Sequence, residues 1–245
     1  LISEGLVYED GSVPSESAGR REIVLRLKTD SYCALGVSIG LGKAILSAVR
    51  ADGEALYTET VPMALKAPAE ETVKILSERL MKLAAENGVD RGSILGLGIA
   101  VRGVIGADRR TVKTSFDALD TADFPICNRF EAYTGLPSVL SNNVRALLSA
   151  QTFLDRDEQP ESIFFLRCGT GIGAAFSAGD EVLEGSRRQC AEIGHIPVIR
   201  RGGKPCHCGK SGCLETIASP AAIKEDAQAC LSETQTPLLW KLTNG

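Results

Sequence analysis

Near its C-terminal end the chain reads Cys206-His207-Cys208-Gly209-Lys210-Ser211-Gly212-Cys213-Leu214-Glu215, with His195 just upstream in Glu192-Ile193-Gly194-His195. Cys206, Cys208, Cys213 and one imidazole make a Cys₃His set, which closes a tetrahedral zinc site and leaves no position for water. Gly209 and Gly212 let the chain reverse tightly enough to bring the three sulfurs to one point. A closed site fastens a loop rather than performing chemistry, so it holds in place whatever Glu192, His195 and Glu215 contact. Ordinary buried cysteines or a disulfide are the other readings; ligand type, count and spacing favour the metal. Both histidines of the chain lie here. His207 is flanked by two ligands and is expected to point away, which leaves His195 as the fourth ligand.

Two glycine turns could hold phosphate: Ile39-Gly40-Leu41-Gly42-Lys43 and Cys168-Gly169-Thr170-Gly171-Ile172-Gly173. Glycine lets backbone N–H groups approach phosphate oxygens closely, and Thr170 adds a hydroxyl donor. Either turn alone is also ordinary hairpin chemistry. Asn142-Asn143 follows a short strand, where Asn142 can cap the next helix.

The elements that position these residues follow an α/β pattern. Cys33 to Gly40, Lys43 to Arg50 and Leu56 to Met63 read as strands, with Ala51-Asp52-Gly53-Glu54 as a turn. Val73, Leu76, Leu80 and Leu83 mark a helix over 70–87, stopped by Asn87-Gly88. Ile94 to Val101 is a strand, and a helix near 123–134 leads to a short strand at Ser138 to Leu140. The helix after Asn142 buries Val144, Leu147 and Leu148. Strands 162–168 and 172–178 flank the second glycine turn, and Ser219-Pro220 opens a helix over 219–231. Each half starts with a strand, a glycine turn and a second strand.

At 245 residues and 44% hydrophobic, the chain suffices for one large domain or two small lobes. A net charge of −4, with scattered basic residues, lacks the one-sided basic surface of a nucleic-acid module. No apolar run approaches a membrane span, and the opening residues carry no signal-peptide pattern. Cys33, Cys127, Cys168, Cys190 and Cys230 are widely spaced and form no framework, which suits thiols in a reducing cytoplasm. The expected location is cytoplasmic, with no membrane partner. Leu1 and Gly245 both read as cut ends.

The order of glycine turn, Gly-rich strand loop, Asn-Asn, Gly-Thr-Gly, Glu-Ile-Gly-His and Cys-His-Cys-Gly…Gly-Cys-Leu-Glu resembles the ROK family, from about Tyr32 onward. That family contains bacterial sugar kinases and sugar-responsive repressors. The resemblance implies an α/β, actin-like ATPase fold of two lobes, 31–140 and a C-terminally incomplete 141–245, with a sugar in the cleft. It makes Asn142, Asn143, Glu192, His195 and Glu215 the sugar-contacting positions. Carboxylates and amides suit a polyol, because each shares hydrogen bonds with hydroxyls. It also makes Gly169, Thr170 and Gly171 the phosphate-binding turn.

Several positions depart from the kinase pattern. Where family kinases open with Asp-Ile-Gly-Gly-Thr-Lys, this chain has Ser38-Ile39-Gly40-Leu41-Gly42-Lys43. Where they carry Asn-Asp, the Asp taking the proton of the attacking hydroxyl, the chain has Asn142-Asn143. An amide orients a hydroxyl but does not accept its proton near neutral pH. Family Pro-Gly is here Arg102-Gly103. Asp117 and Asp120 are the nominal substitutes for the missing base.

Residues 1–30 resemble the wing and linker that follow a winged helix-turn-helix in repressor members: Gly5-Leu6-Val7, a variable 9–18 stretch, Gly19-Arg20-Arg21 and Leu25-Arg26-Leu27. The resemblance therefore implies the sugar-sensing effector domain of a repressor of the xylose or N-acetylglucosamine type. Its partners are a sugar effector and operator DNA, the latter read by a domain N-terminal to Leu1. Structural zinc and a homodimer or dimer of dimers complete the expectation. The alternative is an ATP-dependent sugar kinase, for which ATP-Mg would be the cofactor; a third reading is a zinc-stapled protein with a vestigial pocket.

Overall fold

The computed structural model describes residues 1–3, 5–13, 22–116, 118–154, 161–179, 181–186 and 189–243. They fall into two units, Leu1–Asn143 and Val144–Gly245.

The first unit opens with β1 (Val7–Val13) and β2 (Glu22–Leu27), an antiparallel pair with Val7 opposite Leu27. Strand structure thus runs into the polar stretch as far as Val13, because β2 satisfies its backbone groups whatever its side chains are. Gly19, Arg20 and Arg21 lie outside the described residues. Next come β3 (Cys33–Ile39), β4 (Lys43–Arg50), β5 (Ala55–Pro62) and the short β6 (Ala67–Pro68), which leads into α1 (Ala69–Glu86). They are followed by β7 (Ile94–Val101), β8 (Val104–Ile105), β9 (Val112–Thr114), β10 (Leu119–Asp120), β11 (Ala122–Phe124), α2 (Ile126–Thr134) and β12 (Ser138–Asn142).

The main sheet runs β12-β7-β3-β4-β5; β12, β7 and β3 are parallel, while β4 and β5 are antiparallel to their neighbours. Alternation in β3 buries Leu35, Val37 and Ile39, joined by Leu46 of β4 and Leu97, Ile99 and Val101 of β7. Val73, Leu76 and Leu80 of α1, spaced at three and four residues, cover this face with Ile126 and Phe130 of α2. Each such side chain contributes about 1.5–3 kcal/mol on burial. Gly88, at φ +70°, closes α1 by donating to Ala85 O while Val89 donates to Ala84 O. The helix expected from about 123 starts only at Ile126. Pro125 holds the preceding residue extended, and Ala122–Phe124 pairs with β9 instead.

The second unit holds most of α3 (Asn143–Leu154), then β13 (Ser162–Cys168), β14 (Ile172–Ala178) and β15 (Glu181–Val182). A one-turn 3-10 helix at Ile193–His195 is followed by α4 (Glu215–Ala218), α5 (Pro220–Ala229) and α6 (Pro237–Thr243). The three strands form an antiparallel sheet. Ile163 and Phe165 pack on Val144 and Leu148 of α3. Leu147, expected on that buried face, is exposed, since it stands about 100° round the helix from Leu148. Ser219 Oγ accepts the Ala222 N–H at 3.1 Å ahead of Pro220, which starts α5. Both units contain the strand, glycine turn, strand hairpin, as β3–β4 and β13–β14.

Candidate functional site

The donor atoms of His195, Cys206, Cys208 and Cys213 all lie within 4.8 Å of one another. Cys208 Sγ is 3.7 Å from Cys213 Sγ, and Cys206 Sγ is 3.5 Å from His195 Nδ1. A disulfide would need about 2 Å between sulfurs. Around a tetrahedral zinc with Zn–S ~2.3 Å and Zn–N ~2.0–2.1 Å, two thiolates stand roughly 3.8 Å apart, and thiolate and nitrogen roughly 3.5 Å. The donor set fits such an ion in both chemistry and spacing.

Two strand-like bridges, Pro197 with Cys213 and Pro205 with Ser211, shape the loop. Cys206 N donates to Lys210 O at 2.8 Å, and Val198 N and Ile199 N both donate to Gly212 O. Gly212 is at φ +71°, and a Cβ there would stand 2.0 Å from Ile199 O, so no other residue fits without moving the backbone. Burial pushes the Cys206 thiol up to about 12 and Cys213 upward, while backbone and neighbouring-thiol bonds lower Cys208 against the same burial. A divalent cation would reverse that balance, because its charge makes thiolates of its ligands.

Glu215 begins α4 and is only 8% exposed. Its Oε1 lies 3.0 Å from His207 Nδ1, 3.4 Å from Cys206 Sγ and 3.6 Å from His195 Nδ1. Its Oε2 accepts the Ile172 N–H at 3.4 Å. Burial alone would raise this carboxyl; the His207 hydrogen bond and charge, with the His195 charge, outweigh it and hold the value at about 2. His207 therefore turns to a carboxylate. The two imidazoles meet edge to face, with ring centroids 5.0 Å apart.

Glu192 precedes the 3-10 turn, and its side chain makes no cap bond there. Part of it meets solvent, yet crowding by protein, with the Glu215 charge, pushes its carboxyl upward while Arg145 opposes the shift. Arg145, only 5% exposed on α3, is the charged residue that sequence reasoning missed. Its signal was a cation two residues past the Asn142-Asn143 pair, at the start of the helix.

In the first unit Asn142 closes β12 and donates from Nδ2 to Gly103 O at 3.0 Å. A Cβ on Gly103 would stand 2.0 Å from Thr114 O, which explains why glycine survives although its neighbour is Arg102. Asn143 is the first residue of α3. Asp120 is exposed on β10, and Asp117 lies outside the described residues. The Gly169-Thr170-Gly171 turn joins β13 to β14, with Gly169 N donating to Gly171 O at 2.9 Å. In the β3–β4 turn Gly42 adopts φ +73° and Gly40 N donates to Lys43 O at 2.9 Å. The structure brings Glu215, His195 and the three cysteines to one place in the second unit, while Asn142 belongs to the first.

Residues 34–243 match the model of the ROK family. The chain belongs to the ROK family. It is 29% identical over 226 residues to a putative xylose repressor of a Caldicellulosiruptor species, covering 91% of this chain and 55% of that protein. It is also 29% identical over 158 residues to a glucokinase of Halalkalibacterium halodurans, covering 64% of this chain and 48% of that protein. A crystal structure of a ROK family transcriptional regulator, a homolog of the Escherichia coli Mlc protein, superimposes with a TM-score of 0.77 at 22% identity, over 93% of this chain and 57% of that one. The fold is thus the actin-like ATPase fold of ROK proteins. The chain spans about half the length of the curated relatives it matches. Among the described residues no helix is long and apolar enough to cross a membrane.

Proposed function

We propose that this chain is the sugar-sensing effector part of a ROK-family transcriptional repressor and that it binds its sugar without phosphorylating it. The observation that carries this reading is Asn143, which stands where family kinases have the Asp that takes the proton of the attacking hydroxyl. General-base help contributes about 10²–10⁴ in rate, and an amide cannot supply it. Ser38, where kinases have an acidic residue, points the same way.

Glu192, His195, Glu215, Asn142 and Asn143 are the sugar-binding residues of this proposal. His195, Cys206, Cys208 and Cys213 hold a structural zinc, which supplies no step of a reaction and keeps Glu215 and His195 in place. Gly169, Thr170 and Gly171 retain the phosphate-binding turn. Sugar binding stabilises one of two states of the protein, so sugar and DNA affinities are coupled without catalysis. The β1–β2 pair is the wing of a DNA-binding module, in a cytoplasmic homodimer that reads paired half-sites.

The similarity to a glucokinase and the intact Gly-Thr-Gly turn favour the second reading, an ATP-dependent sugar kinase. One experiment separates the two. The protein is screened with hexoses, pentoses and N-acetylhexosamines in Mg-ATP, reading ADP release and melting temperature in the same wells. A sugar that raises the melting temperature without ADP release supports the sensor. Sugar-dependent ADP release at ordinary kinase rates establishes the kinase instead.

A further inference from the structure

We infer that His207, held between two metal-ligating cysteines, is a positioning residue that aims the Glu215 carboxylate and so ties ligand binding to closure of the metal loop. The inference rests on the sugar-binding reading of Glu215.

Three distances carry it. His207 Nδ1 is 3.0 Å from Glu215 Oε1, well inside hydrogen-bond range, whereas His195 Nδ1 is 3.6 Å from the same oxygen and 3.5 Å from Cys206 Sγ. The two imidazoles therefore divide the work: His195 turns to the sulfurs and His207 to the carboxylate. The other oxygen, Oε2, accepts the Ile172 N–H at 3.4 Å, which ties the carboxylate to the first residue of β14, just past the Gly169-Thr170-Gly171 turn. A carboxylate held at both oxygens is fixed in orientation, and Oε2, with one N–H donor, still has a lone pair for a ligand hydroxyl. The backbone that carries His207 is fixed on either side, because Cys206 N donates to Lys210 O and Gly209 N to Cys206 O. When the metal closes the loop, the Nδ1–H is delivered to Glu215.

The test compares zinc-loaded parent with His207→Ala and His207→Asn, whose Nδ2 reproduces the Nδ1–H. Metal content should be equal in all three. ¹⁵N NMR of the parent imidazole should show a protonated Nδ1 on His207, and Glu215→Gln should move that resonance. Affinity for the sugar found in the screen should fall about tenfold in His207→Ala, the loss of one hydrogen bond to a charged group, and recover to within about threefold in His207→Asn. An unprotonated Nδ1 in the parent, or loss of metal from His207→Ala, overturns the inference, the latter by making His207 a ligand. Unchanged sugar affinity in His207→Ala overturns it as well. If no sugar binds the parent, the sensor reading fails together with the ligand half of the inference; the NMR arm then decides the His207–Glu215 link by itself.

Discussion

Gly194 and Ile172 meet backbone to backbone: a Cβ on Gly194 would stand 2.0 Å from the Ile172 carbonyl oxygen. The same Ile172 gives its N–H to Glu215. One residue of β14 therefore locates both the Glu192–His195 turn and the Glu215 carboxylate. Gly194→Ala should force the turn off the strand, at a cost of about 1–3 kcal/mol, as overpacking does. Urea unfolding checks the cost, and sugar titration checks the predicted loss of affinity. A stable Gly194→Ala protein with parental affinity would mean that the turn does not depend on this approach.

Metal removal should act locally. Zinc in small structural sites contributes about 10–16 kcal/mol of apparent binding free energy at neutral pH. Stripping it, or replacing Cys213 with Ala, should open 195–215 while the β12-β7-β3-β4-β5 sheet persists. Metal analysis of the parent should give one ion per chain and of Cys213→Ala none. Hydrogen exchange should then rise in the loop and stay unchanged in β3 and β7.

Asn143→Asp tests the proposal that the chain binds its sugar without phosphorylating it. Restoring a base at that position, alone and together with Ser38→Asp, should raise sugar-dependent ADP release, by up to about 10²–10⁴ if the base is what is missing. A parent already turning over at kinase rates would overturn the explanation.

Glu192→Gln should weaken sugar binding roughly tenfold or more, the worth of a hydrogen bond to a charged group. It should also alter the pH profile of stability. Because crowding pushes the Glu192 carboxyl above its ordinary value of 4.5, the folded state keeps this proton to higher pH than the unfolded chain does. Stability from this group is full below the unfolded value and is lost as pH rises through the folded one. Its solvent-facing part screens the effect, so the slope is small. Glu192→Gln should remove that decline, which thermal melts from acid to neutral pH would detect.

Much of the fold was legible from periodicity. Lys43–Arg50, Ile94–Val101 and the strands of the second glycine hairpin have the bounds expected of them, because apolar runs of strand length bounded by turn residues mark them. The short strands β6, β8, β9, β10 and β11 were not legible. Two or three residues carry no period, and what makes them strands is a partner brought from elsewhere in the chain. Pairings such as Leu119 with Ala67 have no local signature.

The site divides in the same way. Residue type and spacing by themselves pointed to Cys206, Cys208, Cys213 and His195 as a ligand set, and the structure brings their donor atoms within 4.8 Å of one another. The resemblance to the ROK family made Asn143 conspicuous, as an amide where family kinases carry a base. Only the tertiary structure decided that His207 faces Glu215, that Ile172 holds the other oxygen, and that Arg145 lies buried with its charge acting on Glu192. Hydrogen-bond direction and charge proximity depend on where folded backbones cross, and residues far apart in sequence cannot announce that crossing before the chain has closed on itself.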